Sequence, residues 1–461
     1  MEKVANTQRL GPILLAPGIH RSHVVTKIYV AFITVAMLTG MSFLQAYLLT
    51  EHLHIPRGEQ GTIAGDLTFW AEIVSLCFFS PFGVLADRIG RRPVYVGGIL
   101  LIGLGYGLYP FATSVTELLI YRSISAVGVA AAAGMIATLT NDYPQEKSRG
   151  LLIGVTSMTN ILGVIFMAAV VAQIPSLLID RGFDPVTSGK VMFMFAAGLC
   201  VVTAAVARLG LKGGTAVARH ERAGVNVLVT SGLRAAMNPR IALSYAGAFA
   251  ARSDLVIQGL FLALWAIHDG AQRDMSPAEA MARFGGMIII MQGVSLAAAP
   301  VFGWFMDQVN RVTATIVALI FATLGYLSMG IITSPLDFAM APYFIVLAFG
   351  SSFMLKSSLG LVGQEAPPKE RASIIAVLGM FGALGILILT LFGGRLFDTW
   401  GPWAPFVVAG AYQGILLILA IVIRIVAPGP DLVGRRRWFP SPAALGTAAA
   451  NPGKTGQRTG D

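Results

Sequence analysis

Long apolar runs recur along the whole chain, separated by short polar or Gly/Pro-containing connections. Each is long enough to cross about 30 Å of hydrocarbon as a helix rising 1.5 Å per residue. In the first half they fall at roughly 28–49, 62–85, 94–111, 118–139, 151–173 and 191–209. In the second half they fall at roughly 242–267, 285–305, 313–332, 339–361, 374–392 and 405–426. The pattern predicts an all-α, polytopic membrane protein of about twelve transmembrane helices. Residues 210–239 hold Lys212, Arg219, Arg222 and Arg234 and are too polar to span. They divide the chain into an N-terminal segment at 1–27, a six-helix bundle at 28–209, the interdomain loop at 210–239, a second six-helix bundle at 240–426 and a tail at 427–461.

Composition sharpens this picture. Of 461 residues, 55% are hydrophobic and only 12% charged, against about 25% charged in a soluble domain; the mean hydropathy is +0.73. The net charge of +10 sits on basic residues scattered between the apolar runs instead of along one stripe, which argues against nucleic acid as a partner. They act as topology signals. With both termini in the cytoplasm, roughly 24 Lys/Arg lie on that side, about 6 outside and roughly three within spans, which is the positive-inside pattern of an inner (plasma) membrane protein. Residues 1–27 are polar, carry Pro12 and Pro17, and lack the short apolar core of a cleavable signal peptide. Cys77 and Cys200 each sit inside an apolar run and form no disulfide framework. The tail, with Arg435, Arg436, Arg437 and Trp438, reads as a solvated, disordered end, contact with anionic head groups being the alternative.

The two halves repeat weakly. Gly83 to Arg91, with Asp87 between them, lines up with Gly303, Asp307 and Arg311 at the end of the second span of each half. Residues 141–149 likewise mirror 364–371, and 178–180 mirror 396–398. The run Gly-Val-Leu-Ala-Asp-Arg-Ile-Gly-Arg-Arg at 83–92 resembles the signature loop between helices two and three of the major facilitator superfamily. In physical terms Gly83 permits close helix contact, Gly90 a tight turn, and Asp87 offers a carboxylate to Arg groups or a helix N-terminus. The resemblance implies that Asp87, Arg88 and Arg91 join Asp142 and the start of the eleventh helix near Arg371 in a cytoplasmic latch of the outward-open state. The alternative is a loop that only fixes topology; the duplicate at Asp307 and Arg311 favours gating. Arg122 in helix four resembles a second family pattern, from which Ser125 and Ala126 depart. It is expected to face the bundle interior in a coupling or gating role, with snorkelling to the outer surface as the alternative. The glycine-proline signature of the family's drug antiporters is missing from 154–168, and sugar-porter signatures are missing around Pro144 and Pro367.

The remaining charges inside predicted spans are the candidates for substrate and ion binding: Glu72, Arg252, Asp254 and Lys356, with Asp66 nearer an end. Arg252 and Lys356 suit an anion held at mid-membrane between the halves. Arg252 and Asp254 point about 200° apart around one helix, so their partners come from elsewhere. Asp254 shares an edge with Gln258, Arg252 with Tyr245. Glu72 is the preferred proton site and Asp254 the second, since burial brings a carboxyl's protonation toward neutral pH; a structural ion pair is the alternative for Glu72 and Lys356. The six histidines fall in ends or loops, and no metal-ligand spacing or phosphate-binding loop occurs. The expectation is therefore no cofactor, no metal and no enzymatic activity, but secondary transport of a small organic solute by alternating access, driven by an ion gradient with a coupling proton or cation and leaning to an anionic substrate. Proton-coupled export of amphipathic compounds is the alternative within transport. A non-transporting sensor or assembly factor is the alternative of another class. The sequence does not fix the oligomeric state, and a monomer suffices.

Overall fold

The computed structural model describes residues 8–214, 225–367 and 370–429. Within them twelve helices are long and apolar enough to cross a membrane, the number that the apolar runs predict. The first half holds α1 (Arg21–Glu51), α2 (Arg57–Ile89), α3 (Arg91–Leu108), α4 (Val115–Asp142), α5 (Arg149–Ala169) with its short continuation α6 (Ile174–Ile179), and α7 (Pro185–Gly210). After α8 (Val225–Ala235), the second half holds α9 (Pro239–Ala271), α10 (Pro277–Gln308), α11 (Arg311–Ser328), α12 (Ala341–Glu365), α13 (Arg371–Thr399) and α14 (Ala404–Val426).

Most helices run several residues past their apolar runs, because the backbone keeps its hydrogen bonds while side chains change from apolar to polar. Their ends are set by local chemistry. Asp184 caps α7 by accepting the Thr187 N–H at 2.8 Å, and Ser276 with Glu279 forms a capping box at the start of α10. Gly90 alone separates α2 from α3, at φ 96°, a conformation that glycine adopts without the Cβ penalty of other residues.

With twelve spans, α1 begins and α14 ends on the same side, here the terminal face; the opposite side is the distal face. Residues 8–27, expected as a polar segment, are largely built into the fold. β1 (Arg9–Leu10) and β2 (Ile13–Leu14) form a hairpin that docks on the α4–α5 connection, where Gln145 N–H donates to the Leu14 carbonyl and Ala16 N–H to the Tyr143 carbonyl, each at 2.9 Å. Residues 21–27 already belong to α1, and Lys27 is fully buried. The connection at 210–239 carries α8, which lies along α13; Arg219, Arg222 and the tail beyond residue 429 lie outside the described residues.

Between the halves α2 runs along α13, α1 along α9, and α5 against α10. At the α2–α13 crossing small residues let the backbones touch: a Cβ on Gly61 would lie 2.8 Å from the Gly394 carbonyl, and one on Gly65 would clash with the Thr390 carbonyl. Both contacts lie toward the distal face.

Candidate functional site

The bonds joining the two halves cluster at the same distal end. Asp398 accepts the backbone N–H of Gly61 at 2.9 Å and of Thr62 at 2.7 Å. Arg395 pairs with Asp66 at 3.0 Å, His268 Nε2 meets Gln60 Oε1 at 2.9 Å, and Gln173 Nε2 donates to the Ala282 carbonyl at 2.9 Å. These bonds close the distal face.

The signature-loop residues lie at the terminal face, where Arg91 is bonded within its own half. Arg91 forms an ion pair with Asp142, and the Asp87 carboxylate lies within electrostatic reach of Arg91. The duplicate pair Asp307–Arg311 closes at 2.8 Å, and Arg240 pairs with Glu365 at 2.7 Å. Arg88 stands exposed in the last turn of α2, where its charge suits the helix C-terminus. Arg371 does not extend toward α2; its guanidinium donates to the Gly363 carbonyl at 3.2 Å within the second half. Nor does any helix approach Gly83 in this conformation, since a Cβ there would meet no atom within 4 Å, and the same holds at Gly303. The close contact expected at Gly83 is absent in this conformation, in which Asp398 and Arg395 bond the halves together at the distal face.

Three of the four predicted intramembrane candidates lie near the middle of their helices and are exposed or half-buried. Arg252 is exposed on α9, although 72% of the apolar stretch of α9 is buried, more than in any other span. An exposed guanidinium on the most enclosed helix is not accounted for by lipid contact, which would cost about 2.5–3.5 kcal/mol there. Its aliphatic stem lies over Gly382 of α13, and Glu72 of α2 is half-buried within its electrostatic reach. Lys356 is half-buried on α12, with its Nζ donating to Ser352 Oγ at 2.8 Å. The fourth candidate is different. Asp254 is 0% exposed and packs among α9, α11 and α14, its Oδ1 accepting from Gln413 Nε2 at 2.8 Å. Of the two polar edges of α9, the one bearing Arg252 is exposed and the one bearing Asp254 is packed.

Arg122 does not snorkel. It is 5% exposed and donates to Gln45 Oε1 at 2.5 Å, Ser42 Oγ at 2.9 Å and Thr68 Oγ1 at 3.1 Å, with Tyr109 donating to the same Gln45 oxygen at 2.9 Å. Its partners come from α1, α2 and the end of α3, so a single cation ties the core of the first bundle. Sequence reasoning missed Lys27, which is fully buried and hydrogen-bonded to Thr156 of α5. The signal was present: Val24, Lys27, Ala31 and Thr34 follow helical spacing, and all four are buried. Gln413, a lone amide in the apolar α14, carried a similar signal. Among the described residues no three His, Cys, Asp or Glu side chains converge as a metal-ligand set.

Known proteins share this architecture. The chain is similar to the magnetosome protein MamH of Paramagnetospirillum magneticum, 28% identical over 421 residues, covering 86% of this chain and 93% of that protein. It is also similar to the magnetosome protein MamZ of the same organism, 26% identical over 88% of this chain, though it spans only 63% of that longer relative. The multi-drug resistance efflux pump PmrA of Streptococcus pneumoniae is 22% identical over 78% of this chain and 85% of its own length. Among solved structures, the nucleoside transporter NupG superposes with a TM-score of 0.67 at 13% identity, covering 87% of this chain and 98% of that one, and a POT family transporter in complex with 5-aminolevulinic acid superposes with a TM-score of 0.63 at 13% identity, covering 88% and 96%; at this identity both speak to the fold alone. The model of the Major Facilitator Superfamily matches residues 28–390 and, in a second overlapping match, 248–445. With twelve spans, the signature loop at Gly83 to Arg92 and that match over most of its length, this chain belongs to the Major Facilitator Superfamily.

Proposed function

We propose that the chain moves a small organic anion across the membrane by alternating access, drawing on an ion gradient. The observation that carries the reading is a pair of intramembrane cations. Arg252 of α9 is exposed with Glu72 within its electrostatic reach, and Lys356 of α12 has only neutral hydrogen-bond partners among the described residues. Lining a low-dielectric cleft between the halves, these two cations favour a negatively charged guest, which offers each an anionic acceptor. The scattered basic residues put the terminal face in the cytoplasm of an inner membrane, so distal closure is closure to the outside and the cleft opens inward. Asp87, Arg88, Arg91, Asp142, Asp307, Arg311 and Arg371 then serve as gating groups that meet across the halves in the opposite conformation.

Proton-coupled export of amphipathic compounds is the second reading, favoured by the likeness to an efflux pump. The likeness to the magnetosome protein MamH over most of its length supports a place in a magnetosome, which fractionation of the native cells would test.

A thermal-shift screen of the purified protein against organic anions, cations and neutral solutes selects a substrate, and proteoliposomes loaded with it measure transport. Anions should stabilise the protein, and Arg252→Ala and Lys356→Ala should each weaken binding by about tenfold, the loss of one charge-assisted bond. Stabilisation confined to cations or neutral solutes, or anion binding unchanged in both variants, would overturn the anion assignment. Export of an amphipathic compound driven by a pH gradient would favour the second reading.

A further inference from the structure

Where α9, α11 and α14 meet, away from the cleft charges, lies a polar cluster to which the anion reading gives no task. Asp254 and Gln413 are both 0% exposed and are joined by the 2.8 Å bond from Gln413 Nε2 to Asp254 Oδ1. One turn along α9, Gln258 donates to the Tyr326 hydroxyl at 2.8 Å, and that hydroxyl in turn lies beside Asp254. Thr323 stands one turn before Tyr326, and a Cβ on Gly414, the neighbour of Gln413, would lie 3.5 Å from its methyl group. Three buried oxygens here have no hydrogen-bond partner: Asp254 Oδ2, Gln413 Oε1 and Thr323 Oγ1.

Of these three, the Asp254 and Gln413 oxygens can only accept, and the Thr323 hydroxyl alone could also donate. The cluster also lacks a counter-charge. Among the described residues Asp254 enters no ion pair, and Arg252, two positions earlier, lies over Gly382 on another face. The titratable groups facing Asp254 are Tyr326 from α11 and Tyr412 from α14. A bare carboxylate in such a place costs several kcal/mol, so Asp254 has to be neutralised by something that enters. A sodium ion asks for five or six oxygens around it, and three are free. A proton asks for one. Placed on Oδ2, it converts an unsatisfied acceptor into a donor beside the unpartnered Gln413 Oε1, while the Tyr326 hydroxyl is already bonded to Asp254.

We propose that Asp254 is the proton-binding site of this protein, loaded and unloaded as the halves rock, so that the proton is its coupling ion. Loading transfers a proton from hydronium to Oδ2 and leaves water; unloading returns it from Oδ2 to water on the other side. This rests on the transport reading, but its first test needs no substrate.

Infrared spectra of the purified full chain report the C=O stretch of protonated carboxyls. At neutral pH the native protein should show a band from a carboxyl inaccessible to bulk water that Asp254→Asn lacks. Tyr326→Phe, which leaves the carboxyl in place, should move the pH at which that band titrates. In proteoliposomes Asp254→Asn should exchange solute across the membrane yet lose accumulation driven by a pH gradient. Identical spectra in the native and Asp254→Asn proteins would overturn the assignment, as would a thermal stabilisation by sodium that Asp254→Asn abolishes. Loss of exchange as well as accumulation in Arg252→Ala, with the band intact, bears on the cleft and leaves the proton site standing. Should Asp254→Asn not fold, the Tyr326→Phe titration decides alone: an unmoved band counts against the site.

Discussion

Asp398 of α13 accepts the backbone N–H of Gly61 of α2 at 2.9 Å, so one carboxylate fastens the two halves where they close. Its other oxygen takes the Thr62 N–H, which makes the clasp two-pronged, with the Thr62 side chain adding to it. Asp398→Ala removes both bonds while leaving the Arg395–Asp66 pair. Because the site is only half-buried, the loss is expected near 1 kcal/mol, about a fivefold shift toward conformations open at the distal face. Electron–electron resonance between spin labels at Glu59 and Thr399 should show a larger share of long distances in Asp398→Ala. An unchanged distance distribution would mean that the clasp follows closure without stabilising it.

The empty surroundings of Gly83 and Gly303 give a second prediction. If the halves close at the terminal face in the opposite conformation, these two positions become the contact surface, and bulk there blocks closure. Gly83→Leu and Gly303→Leu should leave the melting temperature within about 2 °C of the native protein, since nothing in the present conformation is displaced. Solute exchange in proteoliposomes should nevertheless fall by tenfold or more, counted as about 1.4 kcal/mol against the closed conformation. Normal exchange in both variants would rule out a tight approach at these glycines.

The spans were legible because lipid imposes a length and a polarity on every segment that crosses it, and twelve such segments need no tertiary knowledge to find. The pairing of Arg91 with Asp142 was legible too, since both residues sit in duplicated loops. Which conformation the chain adopts was not: Arg371 bonds to Gly363 within its own half, and a sequence common to both conformations carries no preference that can be read residue by residue. The separation of Arg252 from Asp254 was half legible. Their spacing placed them on different faces of α9, but which face is packed depends on α11 and α14, distant in sequence. Lys27 escaped because an amine just before an apolar run reads as an interfacial charge, and only the packing of α5 against α1 buries it.

Lys27 itself invites a measurement. A fully buried ammonium whose described partner is one threonine hydroxyl is costly to bury, and an apolar residue of similar length removes that cost while filling the same space. Lys27→Met should therefore match or exceed native thermal stability, by up to about 2 kcal/mol. Thr156→Val, which strips the ammonium of its acceptor, should destabilise by about 1–3 kcal/mol. If Lys27→Met retains stability and abolishes transport, the lysine serves the transport cycle; if both persist, it is a tolerated packing residue.

The connection after α1 carries a pH response whose sign follows from His52. Its ring is half-buried, edge-on to Tyr47 with centroids 6.2 Å apart, and its Nε2 is buried without a hydrogen-bond partner. Burial holds the ring below the ordinary histidine range; the cationic neighbours Lys190 and His54 push the same way, and the Pro110 carbonyl and Asp184 oppose them. The folded chain thus keeps His52 neutral at a pH where the unfolded chain, with its ordinary value of about 6.5, already takes up a proton. The stability gained from the neutral ring is whole above that unfolded value and drains away as pH falls from about 6.5 toward the folded pKa, at no more than about 1.4 kcal/mol per pH unit. Melting curves of the native protein from pH 7.5 to 5.0 should slope downward with acid, and His52→Gln, which keeps a polar group but no titratable ring, should flatten part of that slope while costing little at pH 7.5. Parallel curves for the two proteins would place the acid sensitivity elsewhere and show that His52 protonates as readily in the fold as outside it.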